Sequence, residues 1–160
     1  MAERIVVMGV TGSGKSTVGR MLAARLDAPF VDADDLHSAD AVAKMHAGRA
    51  LTDADREPWL HRVHAALREF GDGPFVAACS ALKRSYRDGL REGLAPLTFV
   101  LLDVDPAVLR ARLAARPGHF AGVSLLPSQL TTLELGDDLV RVDASGAPAA
   151  VADAVLDAAR

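Results

Sequence analysis

Residues 9–16 carry the spacing G-x-x-x-x-G-K-[ST], with Gly9, Gly14, Lys15 and Ser16 at its fixed positions. The glycines allow successive backbone N–H groups to point into one concavity, and a helix that starts there adds its positive end. Such a loop binds phosphate. Lys15 would reach the β- and γ-phosphates of a nucleoside triphosphate, and the Ser16 hydroxyl would ligate the accompanying Mg²⁺. We expect the phosphates to contact Gly9, Thr11, Gly12, Ser13, Gly14, Lys15, Ser16 and Thr17.

Two aspartates follow the second apolar run of the chain. Residues 29–31 predict a short strand, and Asp32 and Asp34 alternate just beyond it. One carboxylate can therefore face the metal and phosphates while the other faces an acceptor. Phosphoryl transfer needs a carboxylate that orients and deprotonates the attacking hydroxyl. We assign that role to Asp34 and place Asp32 on the magnesium side, through the hydration shell of the ion. Asp34 could instead cap the helix that follows.

Predicted strands and helices alternate along the whole sequence. This alternation predicts a three-layer α/β fold, with a five-stranded parallel sheet and helices on both faces. Ligands of such sheets bind beyond the carboxyl ends of the strands, where the phosphate loop, the two aspartates and Ser80 lie. Short apolar runs predict the strands at 4–8, 29–31, 74–79, 97–102 and 139–143. Helices are predicted after Lys15, over 36–47, from a capping box at 52–55 with Pro58 in the first turn, up to Gly93, from Asp105, and over 125–133 and 149–160.

Length and composition are typical of one globular domain. The chain has 160 residues, half of them hydrophobic, and a net charge of −3 without a basic block. We therefore expect a single domain over 1–160 and no nucleic-acid or membrane partner. No signal peptide precedes the first strand, so we expect a cytoplasmic protein. The only cysteine, Cys79, excludes an internal disulfide. The glycine-bearing segment 116–124 is typical of a mobile lid that closes over bound substrate.

Five blocks of residues follow one another in a characteristic order. They are the phosphate loop 9–16; Asp32-Ala33-Asp34-Asp35-Leu36-His37 with Lys44-Met45 and Gly48; residues 51–60; residues 79–91; and Gly118-His119-Phe120 with Leu125-Leu126 and Ser128-Gln129. Together they closely resemble gluconokinases of the small phosphate-loop type. The resemblance implies transfer of the γ-phosphoryl group of ATP, with Mg²⁺, to the 6-hydroxyl of D-gluconate. It also implies a P-loop kinase fold similar to those of shikimate and adenylate kinases, and a homodimer.

The resemblance places several charged side chains around the acceptor. A guanidinium can hold the carboxylate of a sugar acid through two parallel hydrogen bonds, while the hydroxyls of the acid need both donors and acceptors. Which arginine meets the carboxylate stays open, and Arg87 with Asp88 could instead form a solvated helix face. The residues that the resemblance assigns to the acceptor side are Asp34, His37, Arg56, Lys83, Arg87 and His119.

The resemblance also assigns residues near the lid to the nucleotide. Arg112 and Arg116 lie four residues apart and share a helix face. In the related kinases this region supplies a positive charge that closes over the phosphates. We assign that catalytic role to Arg116, because the chain can hinge immediately after it. Arg110 resembles the position whose side chain packs on adenine, or is solvated. The stretch 142–148, which ends at Pro148, resembles the adenine loop.

The sequence departs from the family pattern at several positions. Ser38 and Ala41 stand where the family has proline and asparagine, and Ala121 stands where it has methionine. The segment after Glu134 is shorter and lacks the usual setting of an acidic pair. Two alternative functions follow: a kinase for another small sugar acid or polyol such as shikimate, or an ATP-binding regulatory module without catalysis. The departures spare the phosphate loop and Asp34, so the sequence supports kinase chemistry more strongly than gluconate as the acceptor.

Overall fold

The computed structural model of the chain describes residues 3–94, 96–116 and 120–160. Its strands are β1 (Arg4–Met8), β2 (Phe30–Asp32), β3 (Phe75–Ala78), β4 (Thr98–Asp103) and β5 (Val140–Asp143). They form one parallel sheet in the order β2-β3-β1-β4-β5. β1 lies at the centre, where Val6 pairs with Ala77 of β3 on one side and with Phe99 of β4 on the other.

Helices connect the strands in chain order. They are α1 (Lys15–Leu26), α2 (Ala39–His46), α3 (Asp53–Arg68), α4 (Arg84–Arg91), α5 (Pro106–Ala114), α6 (Phe120–Thr132) and α7 (Pro148–Ala159), with a 3₁₀ turn at Ala33–Leu36. None of the helices in the described part of the chain is long and apolar enough to cross a membrane.

The alternation of side chains along β1 builds a core on each face of the sheet. Val7 lies in one apolar cluster with Leu22 of α1 and Val155 of α7. Val6 points to the opposite face, as successive strand residues do, and lies in a second cluster with Trp59 of α3. The sheet is therefore covered on both sides, and the predicted three-layer α/β fold is confirmed.

Helix α3 begins with the capping box that the sequence predicts. The Thr52 hydroxyl accepts the backbone N–H of Asp55 at 3.1 Å, and the Asp55 carboxylate accepts the backbone N–H of Thr52 at 2.8 Å. The position expected for Pro58 is wrong. Because α3 starts at Asp53, Pro58 falls in the second helical turn, where its missing N–H costs one helical hydrogen bond.

Helix α2 begins three residues later than the predicted helix 36–47, because residues 33–36 form the 3₁₀ turn. Ser38 is the N-cap of α2, and its hydroxyl accepts the backbone N–H of Ala41 at 3.1 Å. Two of the positions where the sequence departs from the family pattern therefore cooperate in starting this helix. The hydroxyl of Ser38 satisfies a backbone donor that would otherwise lack a partner.

The predicted lid 116–124 is described only in part. Residues 120–124 belong to the first turns of α6, and residues 117–119, including His119, lie outside the described residues. The C-terminal end of α2 reaches α6 at Gly48, where a Cβ atom would lie 3.1 Å from the Cβ of Ser124. Gly48 has φ +76°, a conformation that favours glycine, so this close approach depends on the absence of a side chain.

Candidate active site

The phosphate loop joins the end of β1 to the start of α1, as the sequence predicts. Gly9, Gly12 and Gly14 have φ values of +149°, +84° and +94°, which side chains rarely tolerate. No side chain caps the N-terminus of α1 in the described structure. The first N–H groups of this helix and its positive dipole end are therefore oriented toward a site suited to an anion.

Lys15 is half-buried at the base of this loop. Its Nζ donates a hydrogen bond to the Val10 carbonyl at 3.2 Å. Burial lowers the pKa of Lys15, while the carboxylates of Asp34 and Asp32 favour its charged form. A triphosphate bound beside Lys15 would add negative charge, and so would favour the protonated lysine further.

Ser16 and Asp32 meet in the structure. The Ser16 hydroxyl donates to Asp32 Oδ2 at 2.6 Å, and Asp32 Oδ1 accepts the backbone N–H of Asp34 at 3.0 Å. Arg20 lies 3.8 Å from Asp32 Oδ2. The two residues predicted as metal ligands thus present a hydroxyl and a carboxylate side by side, and these are the hard oxygen donors that Mg²⁺ prefers.

Two adjoining cavities open at the carboxyl edge of the sheet. One has a volume of about 170 Å³ and is lined by the phosphate loop, Thr17, Asp34 and Arg116. The other has a volume of about 120 Å³ and lies toward α2, α3 and α6. We name them the phosphate cavity and the acceptor cavity. Thr11, Lys15 and Asp34 line both.

The acceptor cavity combines charged, polar and apolar side chains. The Asp34 side chain is 63% exposed, and its Oδ1 lies 3.9 Å from His37 Nε2. Opposite them the wall includes Arg56, Ser80 and Gln129. An acyclic acid with several hydroxyls needs this mixture of donors and acceptors.

A third cavity, of about 470 Å³, lies on the other side of the phosphate loop, and we name it the base cavity. Thr17, Arg112, Arg116 and Pro148 line it. Arg112 donates to the Gly12 carbonyl at 3.4 Å and to the Ala144 carbonyl at 2.8 Å. The structure therefore brings four predicted nucleotide residues together beside the loop.

Comparisons with known proteins agree with this geometry. A family model described as an AAA domain matches residues 5–132. The gluconokinase of Gluconobacter oxydans is 49% identical over 158 residues, which cover 95% of this chain and 88% of that protein. A solved gluconokinase from Sinorhizobium meliloti is 43% identical, with a TM-score of 0.88 over 98% of this chain and 91% of that one. The chain belongs to the gluconokinase family.

A more distant structure shares the fold alone. A shikimate kinase from Aquifex aeolicus is 21% identical and has a TM-score of 0.61, over 96% of this chain and 93% of that one. The expected likeness of fold between gluconokinases and shikimate kinases is confirmed.

Arg56 lies on the wall of the acceptor cavity. It is 9% exposed, and its Nη1 donates to the Tyr86 hydroxyl at 3.3 Å. Its guanidinium carbon also lies 5.8 Å from the centre of the Tyr86 ring. This position agrees with the substrate contact that the gluconokinase resemblance implies.

Arg87 does not share that position. Its side chain is fully buried, and it is not among the residues that line the described cavities. Its five N–H groups donate to five protein acceptors: both carboxylate oxygens of Asp138 and the carbonyls of Ala81, Leu82 and Glu134. Every donor of the guanidinium is therefore used inside the protein, which argues against the expected substrate contact and also against a solvated helix face.

The contacts of Arg87 fix the loop that carries Ser80. Ala81 has φ +45°, a left-handed conformation that costs energy for a residue with a side chain. Nη1 of Arg87 donates a hydrogen bond to the Ala81 carbonyl at 2.9 Å and so helps to hold this conformation. The hydrogen bonds from Arg87 also hold the pKa of Asp138 below its ordinary range. Arg87 thus stabilises the loop that borders the acceptor cavity without lining the cavity itself.

Lys83 also lies away from the cavity wall. Its Nζ donates to both carboxylate oxygens of Asp53 at 3.0 Å, and this pair raises the pKa of Lys83. Hydrogen bonds from Tyr86 and Lys83 lower the pKa of Asp53. Because Lys83 does not line the acceptor cavity, the structure gives no support to the direct substrate contact that the resemblance implies.

His37 lines the acceptor cavity, as the resemblance implies. Its ring stacks on Trp59 with centroids 4.3 Å apart and an angle of 13° between the planes. The side chain is 5% exposed, and this burial lowers the pKa of His37, which favours the neutral imidazole. A neutral imidazole both donates and accepts one hydrogen bond, which suits a hydroxyl ligand.

Sequence reasoning missed the roles of two cavity residues. Trp59 donates its indole N–H to the Ala33 carbonyl at 2.7 Å, which joins α3 to the turn that carries Asp34. Gln129 accepts the backbone N–H of Thr11 in the phosphate loop at 2.7 Å. Both residues stand inside blocks that carry the gluconokinase resemblance, and this was the only available signal.

Arg110 departs from its expected position. It is exposed on α5 and is not among the residues that line the base cavity. Arg112, two residues later, lies there instead, because residues two apart on a helix point in different directions. The prediction that His119 contacts the substrate falls outside the described residues.

Proposed function

We propose that this protein transfers the γ-phosphoryl group of ATP to the 6-hydroxyl of D-gluconate, giving 6-phosphogluconate and ADP. The observation that carries the proposal is the wall that the phosphate and acceptor cavities share, formed by Thr11, Lys15 and Asp34. A phosphoryl group and an attacking hydroxyl can meet only at such a junction. Membership of a P-loop kinase family implies ATP as the donor, and the named gluconokinases among the relatives support gluconate as the acceptor.

In this proposal the residues at the junction divide the chemistry. Lys15 neutralises the charge that spreads over the transferred phosphoryl oxygens. Asp34, whose carboxylate is exposed at the same junction, accepts a hydrogen bond from the attacking hydroxyl. It takes the proton as the new P–O bond forms and the bond from the γ-phosphorus to the oxygen of the leaving ADP breaks. Arg56 holds the carboxylate at the far end of the acceptor, which fixes the distance to the 6-hydroxyl. His37 binds an intermediate hydroxyl.

Ser16 and Asp32 would hold the magnesium ion of the nucleotide, Ser16 directly and Asp32 through water. When bound there, the ion would supply positive charge that offsets the negative charge of the phosphates. The described residues contain no group of three or more His, Cys, Asp or Glu side chains that could hold a metal by themselves. Two protein oxygens are enough for Mg²⁺, because it keeps several waters and takes further ligands from phosphates.

On the nucleotide side, Arg112 and Pro148 would border the base, and Arg116 would approach the phosphates. Arg116 lines both the phosphate cavity and the base cavity, at the end of the described segment 96–116. A guanidinium at this place adds positive charge where the leaving phosphate develops negative charge.

The proposal is tested by ADP release from magnesium-ATP with D-gluconate, shikimate, glycerate, AMP or no acceptor. We expect turnover with gluconate alone. Lys15→Ala should abolish it, and Asp34→Asn should lower kcat by roughly a hundredfold or more while ATP binding persists. Turnover with shikimate and not with gluconate would show that shikimate is the acceptor and would overturn the proposed substrate. Binding of ATP without turnover of any acceptor would support the regulatory alternative and overturn the proposal.

A further inference from the structure

Arg56 forms no direct ion pair with a carboxylate of the described residues, although Asp53 interacts with its charge at longer range. The whole residue is 9% exposed, yet the partner that its guanidinium finds within the described chain is the neutral Tyr86 hydroxyl, 3.3 Å from Nη1. Burying a guanidinium without an anionic partner is costly. The remaining N–H groups and the charge of Arg56 are therefore available to a ligand in the acceptor cavity, which Arg56 lines.

The Tyr86 hydroxyl lies between Arg56 and the carboxylate of Asp53. The Tyr86 hydroxyl donates to Asp53 Oδ1, and it accepts from Arg56 on its other side. Lys83 donates to both oxygens of Asp53 at 3.0 Å, so the charge of Asp53 is already paired with a cation. If Asp53 paired directly with Arg56, its carboxylate would use the N–H donors of the guanidinium. It would then compete with an acidic ligand for Arg56.

We infer that Tyr86 is a positioning residue that gives the acceptor site its preference for a carboxylate. Its hydroxyl fixes Nη1 of Arg56 and stands between the guanidinium and Asp53, so that the charge of Arg56 is kept for the acid group of the acceptor. This inference rests on the proposed function, because it assumes that the acceptor binds in the cavity that Arg56 lines. It adds a residue that does not touch the acceptor but determines which acceptors bind.

The test compares Tyr86→Phe with the wild type on two acceptors that differ in charge. D-gluconate carries the carboxylate, and D-glucitol carries a neutral hydroxymethyl group in its place. Trp59 is the only tryptophan of the chain and lines the acceptor cavity, so its fluorescence reports the binding of either compound. We expect Tyr86→Phe to weaken gluconate binding and raise its KM roughly tenfold, the loss typical of one hydrogen bond to a charged group. Glucitol binding, kcat and the KM for ATP should change little.

A double-mutant cycle separates positioning from a general structural effect. If Tyr86 acts through Arg56, then Arg56→Gln with Tyr86→Phe should bind gluconate no more weakly than Arg56→Gln alone. Ser85→Ala is the matched control, because Ser85 is the exposed neighbour of Tyr86 and also loses only a hydroxyl. If Tyr86→Phe does not fold, Asp53→Asn replaces it. Asp53 is 66% exposed, and Tyr86 still separates it from Arg56, so removing its charge should leave the KM for gluconate nearly unchanged; a lower KM would show that Asp53 already competes for Arg56 and would overturn the inference.

Unchanged gluconate binding in Tyr86→Phe would overturn the inference. Equal losses for gluconate and glucitol, or additive losses in the double variant, would do the same, since either result indicates a change of shape rather than of charge preference. The failure of the proposed function looks different: the wild type would then release no ADP with gluconate. In that case, fluorescence titration with shikimate and glycerate still decides whether Tyr86 controls the binding of an acid.

Discussion

Two buried arginines on neighbouring helices have opposite surroundings. Arg87 of α4 is fully buried and donates all five of its N–H groups to protein oxygens, two of them from Asp138. Arg56 of α3 is nearly as buried, yet it donates to one neutral hydroxyl and borders the acceptor cavity. The difference teaches that burial alone does not distinguish a binding arginine from a structural one. The number of protein acceptors around the guanidinium separates the two kinds of arginine.

The comparison also explains how the acceptor cavity is built. Arg87 fixes the carbonyls of Ala81, Leu82 and Glu134, which lies two residues after α6, and so supports the wall of the cavity. Arg56 lies in that wall, and its guanidinium has N–H groups that can reach a ligand besides the one bonded to Tyr86. We therefore expect one arginine to contribute mainly to the stability of the fold and the other mainly to the affinity for a ligand, and each can be removed separately.

The largest expected effect is on stability. Arg87→Gln should lower the free energy of unfolding by about 3–5 kcal/mol, because it removes the guanidinium that donates to the buried carboxylate of Asp138 and to three backbone carbonyls. Arg56→Gln should lower it by less than about 1 kcal/mol, since no buried anion loses a partner. Urea denaturation of both variants measures the difference.

Arg87→Lys serves as the control for charge. It keeps the cation but cannot reach five acceptors, so its stability should fall between those of the wild type and Arg87→Gln. Equal destabilisation by Arg87→Gln and Arg56→Gln would contradict the division of roles.

The next effect is on catalysis. Arg56→Gln should lower kcat/KM for gluconate by roughly a hundredfold, because about two charge-assisted hydrogen bonds to the carboxylate are lost. Most of the loss should appear in KM, and the KM for ATP should stay near the wild-type value. Steady-state kinetics with each substrate varied in turn makes the measurement. A loss confined to kcat would instead place Arg56 at the reacting phosphoryl group.

The features that the sequence predicted correctly depend on local patterns. The phosphate loop needs glycines at set spacings, and the capping box of α3 needs Thr52 and Asp55 three residues apart. The meeting of Ser16 with Asp32 followed from parallel strands whose carboxyl ends share one edge. Such features are determined by a few adjacent residues or by the topology of the sheet.

The roles of the arginines depend on contacts between distant segments. Arg87 pairs with Asp138, which is 51 residues away in the sequence, and no local pattern predicts that pair. The resemblance therefore assigned Arg56 and Arg87 alike to the acceptor side. Ser38 is a similar case: the sequence shows it only as a departure from the family pattern, whereas its hydroxyl caps α2.

A smaller effect should appear as a dependence of stability on pH. Arg87 lowers the pKa of Asp138 in the folded state below its ordinary value of 3.8. The ionised carboxylate therefore stabilises the fold fully above pH 3.8, and this contribution is lost as the pH falls through the lowered pKa. Asp138→Asn should be less stable than the wild type at pH 7, and the difference should shrink below pH 4. Urea denaturation at both pH values checks this, and a constant difference would contradict the pairing.

The smallest effect is expected at Lys83, which the resemblance assigned to the acceptor side together with the two arginines. Lys83 pairs with Asp53 at an exposed position, and such pairs contribute little to stability because water screens them. Lys83→Met keeps the aliphatic stem beside the Tyr86 ring, so folding should be little changed. The KM for gluconate should rise no more than about threefold, because Tyr86 still separates Asp53 from Arg56. An increase as large as that of Arg56→Gln would mean that Lys83 reaches the acceptor directly, and the acceptor site would then contain two cations instead of one.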